Sequence, residues 1–179
     1  MRGRAAISHA IVCWAMADLE LKRAPDDRRL YDLEGVGTLR LEGWKGPRAT
    51  ADTGVRSWLF ARRGLWRRGI DATDAFGAMA GSFEHRRRRR GGPLRWGDDE
   101  FVLRQASLWH DRYALVEGDR ELAVLDGKDW GKRPVRVTVE DPEEIDPGLL
   151  LFAAFVVRRL AQDVGSPAPA GASAGAVGG

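Results

Sequence analysis

The feature that most constrains the fold is an uninterrupted apolar segment, residues 149–157, near the end of the 179-residue chain. Asp146-Pro147 before it and Arg158-Arg159 after it are typical of a helix start and a helix end. Nine helical residues span about 14 Å at 1.5 Å per residue, whereas a bilayer core needs roughly 30 Å. Because such a helix is apolar on every side, it must be buried all round by protein, inside a closed barrel or between sheets.

The residues before this segment alternate between apolar and polar side chains from about 18 to 140. In the clearest case Val135, Val137 and Val139 are separated by Arg136 and Thr138. A period of two is the pattern of a strand with one buried face. Gly-Asp pairs at 97–98 and 118–119 interrupt the pattern as hairpin turns do. The sequence therefore predicts a mainly β fold.

The chain is expected to contain one folded domain. With 44% hydrophobic residues and seven tryptophans it can form a single large core. We place the domain at 17–164, with a helix at about 147–163. Residues 165–179 are small, uncharged or proline, and are predicted to be a disordered tail. Residues 1–16 are predicted to be an extension, either a disordered arm or sequence upstream of a true start at Met16; the short apolar run argues against a signal peptide.

Several segments of residues 17–163 resemble the tubby-like barrels, a superfamily that includes the phospholipid scramblases and the LURP-one-related proteins. They lie at turns and core positions, so the resemblance concerns the fold more than any activity. The segments are DATD at 71–74 with Gly77, Gly81 and Phe83 after it, LRWG at 94–97, YAL at 113–115, ELAV at 121–124 and DPGLLLF at 146–152.

The resemblance implies a closed tubby-like β-barrel of about twelve strands that encloses a hydrophobic C-terminal α-helix. It also implies binding at a membrane surface, because tubby domains bind phosphoinositide head groups through basic residues. The chain departs from the scramblases: it has no long proline-rich N-terminal segment, no cysteine cluster and no helix long enough to span a bilayer. We therefore carry over the fold and no scramblase activity, and no lipid-binding residue of the family can be matched by position.

The most visible candidate site is a run of five arginines before a turn at 91–93. The run consists of Arg86, Arg87, Arg88, Arg89 and Arg90. Five guanidinium groups on one loop are typical of an anion site, and near an anionic bilayer each would add about 1 kcal/mol. Arginines at 62–63 and 67–68 extend the patch, although strand alternation sends only some of them to the same side. The alternative is a solvated hairpin in an arginine-rich protein.

The other polar features predict no catalytic site, cofactor or metal. Three histidines and one cysteine, Cys13, have no zinc spacing, and a lone cysteine fits a reducing compartment. The acidic stretch 140–146 lacks the pattern of an EF-hand and is read as a helix-start turn with solvated carboxylates. Trp58, Trp66, Trp96 and Trp130 lie in or beside strand patterns, which favours core packing over base stacking.

We expect a non-enzymatic domain that binds anionic phospholipid head groups or membrane surfaces through the basic loop. It would be cytoplasmic and peripheral at the inner membrane surface, with no transmembrane segment. Two alternatives stay open. One is a small-ligand-binding or enzymatic barrel with a site at one open end, lined by Trp and Arg; the other is a weak nucleic-acid binder, which we disfavour.

Overall fold

A computed structural model describes residues 16–42, 48–64, 69–86, 91–107, 111–127 and 134–165. Twelve strands and one helix lie in these ranges. The strands are β1 (Ala17–Arg23), β2 (Leu30–Leu33), β3 (Gly37–Glu42), β4 (Arg48–Asp52), β5 (Ser57–Arg63), β6 (Gly69–Asp74), β7 (Met79–Glu84), β8 (Gly92–Trp96), β9 (Asp99–Ser107), β10 (Arg112–Glu117), β11 (Arg120–Asp126) and β12 (Val135–Val139), and the helix is α1 (Pro147–Gly165).

The strands form a closed antiparallel barrel in chain order. Each strand pairs with the next one in sequence, and β12 returns to pair with β1. In that closing ladder Ala17 lies opposite Val139 and Leu21 lies opposite Val135. Closure therefore leaves none of the twelve described strands as an edge strand. The prediction of a mainly β, closed twelve-stranded barrel is confirmed.

Strand alternation places the apolar side chains inside the barrel, as the sequence pattern predicts. In β12 the three valines are almost fully buried, whereas Arg136 points outward and is exposed. Small residues of β4 face the interior, where the helix comes close: Ala49 and Ala51 are fully buried. They leave room for α1, which packs against β3, β4, β5 and β11.

The helix lies inside the barrel and is buried on every side over residues 149–157. None of these nine side chains is more than 2% exposed. The helix begins at Pro147, as predicted, and ends at Gly165, two residues beyond the predicted end. Arg158 and Arg159 therefore do not lie in its last turn, which contains no basic residue. Among the described residues, no helix combines the length and the apolar composition that crossing a bilayer requires.

Aromatic side chains fix the start of the helix against the barrel wall. The ring centroid of Phe152 lies 5.1 Å from that of Phe60 and 5.6 Å from that of Trp96. The ring centroids of Trp96 and Trp58 are 5.7 Å apart. Gly148 lies against both indoles: a Cβ added there would be 2.6 Å from Trp96 Cζ2 and 2.8 Å from Trp58 Cη2. The first helical turn can therefore approach the tryptophans only because residue 148 has no side chain.

The antiparallel order places successive connections alternately at the two ends of the barrel. The end where α1 begins, which we call the helix-start end, also holds connections 34–36, 53–56, 75–78, 97–98 and 118–119 and segment 140–146. The opposite end, the helix-finish end, holds connection 24–29, residues 85–86 and 91, and the last turns of α1. The hydrogen bond from Arg158 Nη1 to the Tyr31 hydroxyl, 3.1 Å, joins the helix to β2 at this second end.

Candidate functional site

The connections at the helix-start end are strongly acidic. Within residues 34–36, 53–56, 75–78, 97–98, 118–119 and 140–146, all of them described, Arg56 is the one basic residue. The acidic residues are Glu34, Asp98, Asp119, Glu140, Asp141, Glu143, Glu144 and Asp146. Negative charge near the amino end of α1 is favourable because the helix dipole is positive there. The chain has a formal net charge of +3, so its remaining residues are together basic.

The helix-finish end carries exposed arginines from several strands and connections. Six of them form no salt bridge within the described part of the chain: Arg23, Arg28, Arg29, Arg48, Arg62 and Arg86. They come from β1, the β1–β2 connection, β4, β5 and the β7–β8 connection. Positive charge is therefore distributed around the rim of this end.

Acidic residues at the helix-finish end only partly offset these arginines. Asp27 accepts hydrogen bonds from the backbone N–H of Arg29, at 2.8 Å, and from Arg40 Nη1, at 2.7 Å. These two interactions lower the pKa of Asp27 below its ordinary value of 3.8. Asp26 and Asp111 are the other described acidic residues of the connections there. The Asp27 carboxylate is neutralised by Arg40, which leaves Arg28 beside it without an ion pair.

One residue of the predicted arginine site lies in the described ranges. Arg86 is exposed, and its backbone N–H donates to the carbonyl oxygen of Gly91, at 2.9 Å, in an isolated bridge that follows β7. Arg87, Arg88, Arg89 and Arg90 lie outside the described residues. Arg62 and His85 line one small cavity together with Arg159, so the end of β5 lies beside the start of the arginine run.

The neighbouring arginine of β5 has a structural role instead. Arg63 binds Asp71 of β6 through Nε, 3.0 Å from both carboxylate oxygens, and its Nη1 lies 3.6 Å from Glu84 Oε1. The hydrogen bonds to Asp71 raise the pKa of Arg63 against the opposing effect of burial. Arg62 and Arg63 therefore point to different sides of β5, as strand alternation predicts. The arginines at 67–68 lie outside the described residues.

Two of the four tryptophans predicted to lie in the core are described, and both are buried. Trp58 is 7% exposed and Trp96 is 9% exposed. Trp66 and Trp130 lie outside the described residues, and their core packing stays a prediction.

A cavity of about 180 Å³ opens at the helix-start end. Its walls come from the ends of β8, β9, β10 and β11, from segment 140–146 and from the first turn of α1. The lining residues are Trp96, Asp99, Phe101, Glu117, Arg120, Leu122, Asp141, Glu144, Ile145, Asp146 and Leu149. The cavity thus combines an apolar interior with a polar, mainly acidic rim.

The carboxylates of segment 140–146 are more specifically bound than the sequence predicts. Asp146 accepts hydrogen bonds from the backbone N–H groups of Gly148 and Leu149, at 2.7 and 3.1 Å, and caps α1. Glu140 Oε2 and Glu144 Oε2 each lie 2.8 Å from an Arg120 nitrogen. These carboxylates raise the pKa of Arg120. The described residues contain no group of three His, Cys, Asp or Glu side chains that could hold a metal ion.

No family model, curated protein or solved structure matches this chain.

Sequence reasoning found the arginine run but missed the separation of charge between the two ends and the cavity. The acidic segment 140–146 and the Gly-Asp turns could be seen in the sequence. In an antiparallel meander, every second turn lies at the same end of the sheet. Counting the acidic and basic residues of every second turn would therefore have predicted an acidic end.

Proposed function

We propose that this chain is a non-enzymatic, tubby-like barrel domain that binds anionic phospholipid head groups through its helix-finish end. It would act in the cytoplasm, at the inner membrane surface. The observation that carries the proposal is the charge separation: exposed arginines without salt bridges surround one end of the barrel, and the connections at the other end are acidic.

The architecture supports the tubby-like part of the proposal. A twelve-stranded antiparallel barrel around a buried C-terminal helix is what the resemblance implies. The DPGLLLF segment at 146–152 contributes the helix cap, Asp146, and the glycine that contacts both tryptophans, Gly148. The segment therefore has a clear role in the fold.

The distance between the two ends makes end-on docking favourable. Most strands have five to seven residues and span about 16–23 Å at 3.3 Å per residue, and the Debye length at 0.1 M salt is about 10 Å. When the basic end lies on a bilayer, the acidic end is about two Debye lengths away and is repelled only weakly. The six exposed arginines at about 1 kcal/mol each give at most about 6 kcal/mol, which is weak and reversible binding.

Vesicle sedimentation tests the proposal. Wild-type protein should bind vesicles that contain phosphatidylserine or a phosphatidylinositol phosphate at low salt, and should not bind pure phosphatidylcholine. The double variant Arg62→Ser, Arg86→Ser should bind about 30-fold more weakly, because two contacts of about 1 kcal/mol are lost. The control Arg56→Ser removes one arginine from the opposite end and should bind as wild type does, whereas Arg62→Ser or Arg86→Ser alone should bind about fivefold more weakly.

A separate control addresses the orientation. Phe76 is 96% exposed in the β6–β7 turn at the helix-start end, where it offers an apolar side chain for insertion into a bilayer. Phe76→Ser should leave vesicle binding unchanged if the helix-finish end docks. Equal binding of all charge variants, or loss of binding in Phe76→Ser, contradicts the proposal. Binding to duplex DNA or RNA that competes with vesicles, with a log–log salt slope of about −4 to −5, would favour the nucleic-acid alternative.

A further inference from the structure

The cavity at the helix-start end has an aromatic and aliphatic interior that is held rigidly. Trp96 and Phe101 are 9% and 6% exposed, and Ile145 and Leu149 are buried beside them. Trp96 cannot shift freely, because its ring lies between those of Trp58 and Phe152, both within 6 Å. A fixed indole is the most favourable side chain for contact with a cation or with alkyl groups.

Most of the charged side chains that line the cavity already have partners inside the protein. Asp146 caps α1, Asp141 accepts a hydrogen bond from the backbone N–H of Glu143, and Arg120 is bound by Glu140 and Glu144. The charge of Arg120 is therefore compensated locally, and it does not neutralise the rest of the rim.

Two rim carboxylates are left uncompensated. Asp99 lies opposite Trp96 in the β8–β9 ladder, and Glu117 lies opposite Arg120 in the β10–β11 ladder. Within the described part of the chain, neither carboxylate forms a side-chain hydrogen bond or a salt bridge. Both are exposed and line the cavity. Negative charge at the rim of a cavity that is lined by a tryptophan and a phenylalanine is the arrangement that recognises an organic ammonium group.

We propose that this cavity binds a small organic cation, namely an ammonium or quaternary ammonium group on a compact aliphatic body. The apolar interior would cover the alkyl groups, Trp96 would contact the cation, and Asp99 and Glu117 would supply the opposite charge. Pockets for drug-sized ligands have volumes of roughly 300–1,000 Å³, so a cavity of about 180 Å³ suits a smaller molecule.

This site is independent of the membrane proposal. The cavity opens at the helix-start end, whereas the arginines proposed to contact lipid lie at the opposite end. A barrel bound to lipid at its helix-finish end can still bind a cation at its helix-start end. A negative result for one proposal therefore does not affect the other.

Isothermal titration of the full chain with choline, at constant ionic strength, tests the inference. Choline should bind saturably at millimolar concentration, and its neutral isostere 3,3-dimethylbutan-1-ol should bind at least about fivefold more weakly, because it keeps the shape and loses the charge. Asp99→Asn and Glu117→Gln should each weaken choline binding by up to about fivefold, as expected for exposed ion pairs. Both residues are exposed and have no side-chain partner among the described residues, so the variants should keep the wild-type circular dichroism spectrum and Tm.

Asp98→Asn is the matched control. It removes the same charge from the same turn, and Asp98 does not line the cavity. It should bind choline as wild type does. The inference is overturned if choline does not bind saturably, if the neutral isostere binds equally well, or if Asp98→Asn weakens binding as much as Asp99→Asn, since the last result would indicate only a general acidic field.

Discussion

Replacement of Gly148 by alanine tests how the first turn of α1 is held in the barrel. Two effects of opposite sign compete. Alanine favours a helix over glycine by at most about 1 kcal/mol, and by less in a first turn. Against this, the added Cβ would lie 2.6 Å from Trp96 Cζ2 and 2.8 Å from two atoms of Trp58. Overpacking of a core site costs about 1–3 kcal/mol.

The overpacking effect should dominate, because neither tryptophan can move aside alone. Their rings lie 5.7 Å apart, and Trp96 also contacts Phe152. We expect Gly148→Ala to lower the free energy of unfolding by about 1–2 kcal/mol, which corresponds to a Tm lower by about 2–8 °C in a chain of this size. Urea unfolding, followed by far-UV circular dichroism, measures the change directly.

A double-mutant cycle separates the clash from other effects of the substitution. In a background with Trp58→Phe and Trp96→Phe the added methyl has more room, so Gly148→Ala should be at least about 1 kcal/mol less destabilising there than in wild type. If Gly148→Ala stabilises the protein, helix propensity dominates and the close approach is not a constraint. An equal cost in both backgrounds would show that the indoles are not the cause.

Two further predictions concern the core and the helix-finish end. Phe152 is fully buried against Phe60 and Trp96. Phe152→Ala should therefore lower the free energy of unfolding, measured in urea, by about 3–5 kcal/mol. A loss below about 1 kcal/mol would mean that neighbouring side chains fill the space left by the ring. The pKa of Asp27 is lowered below 3.8 in the folded protein, so its stabilising effect is present above pH 3.8 and is lost as the pH falls through the lower folded value. The difference in Tm between wild type and Asp27→Asn should therefore be largest near neutral pH and should vanish in strong acid; a difference that does not change with pH would contradict the assignment.

The fold was largely readable from local patterns, because each pattern has a direct physical cause. The alternating valines of β12 predict a one-sided strand, and they are buried as expected. The helix, predicted at about 147–163, extends two residues further, to Gly165.

The candidate sites were less accessible to sequence reasoning. The arginine run is contiguous and therefore visible, but which other arginines share its end depends on pairing between strands. Arg62 and Arg63 are adjacent in sequence. Arg62 is exposed and lines the small cavity that also contains His85, whereas Arg63 is bound to Asp71. The partner of Arg63 lies eight residues away on β6, and only the β5–β6 register brings the two together.

The sequence alone determined that residues 149–157 must be buried, because a helix that is apolar on all sides and too short for a bilayer has no other stable environment. It also determined, through alternation, that strands would surround it. Only the tertiary structure decided which turns share an end of the barrel, and hence that Asp99 and Glu117 line one cavity with Trp96 while the exposed arginines lie at the opposite end. Hydrophobic burial and strand period are properties of neighbours along the chain, whereas charge separation and cavities arise from residues that closure of the barrel brings together.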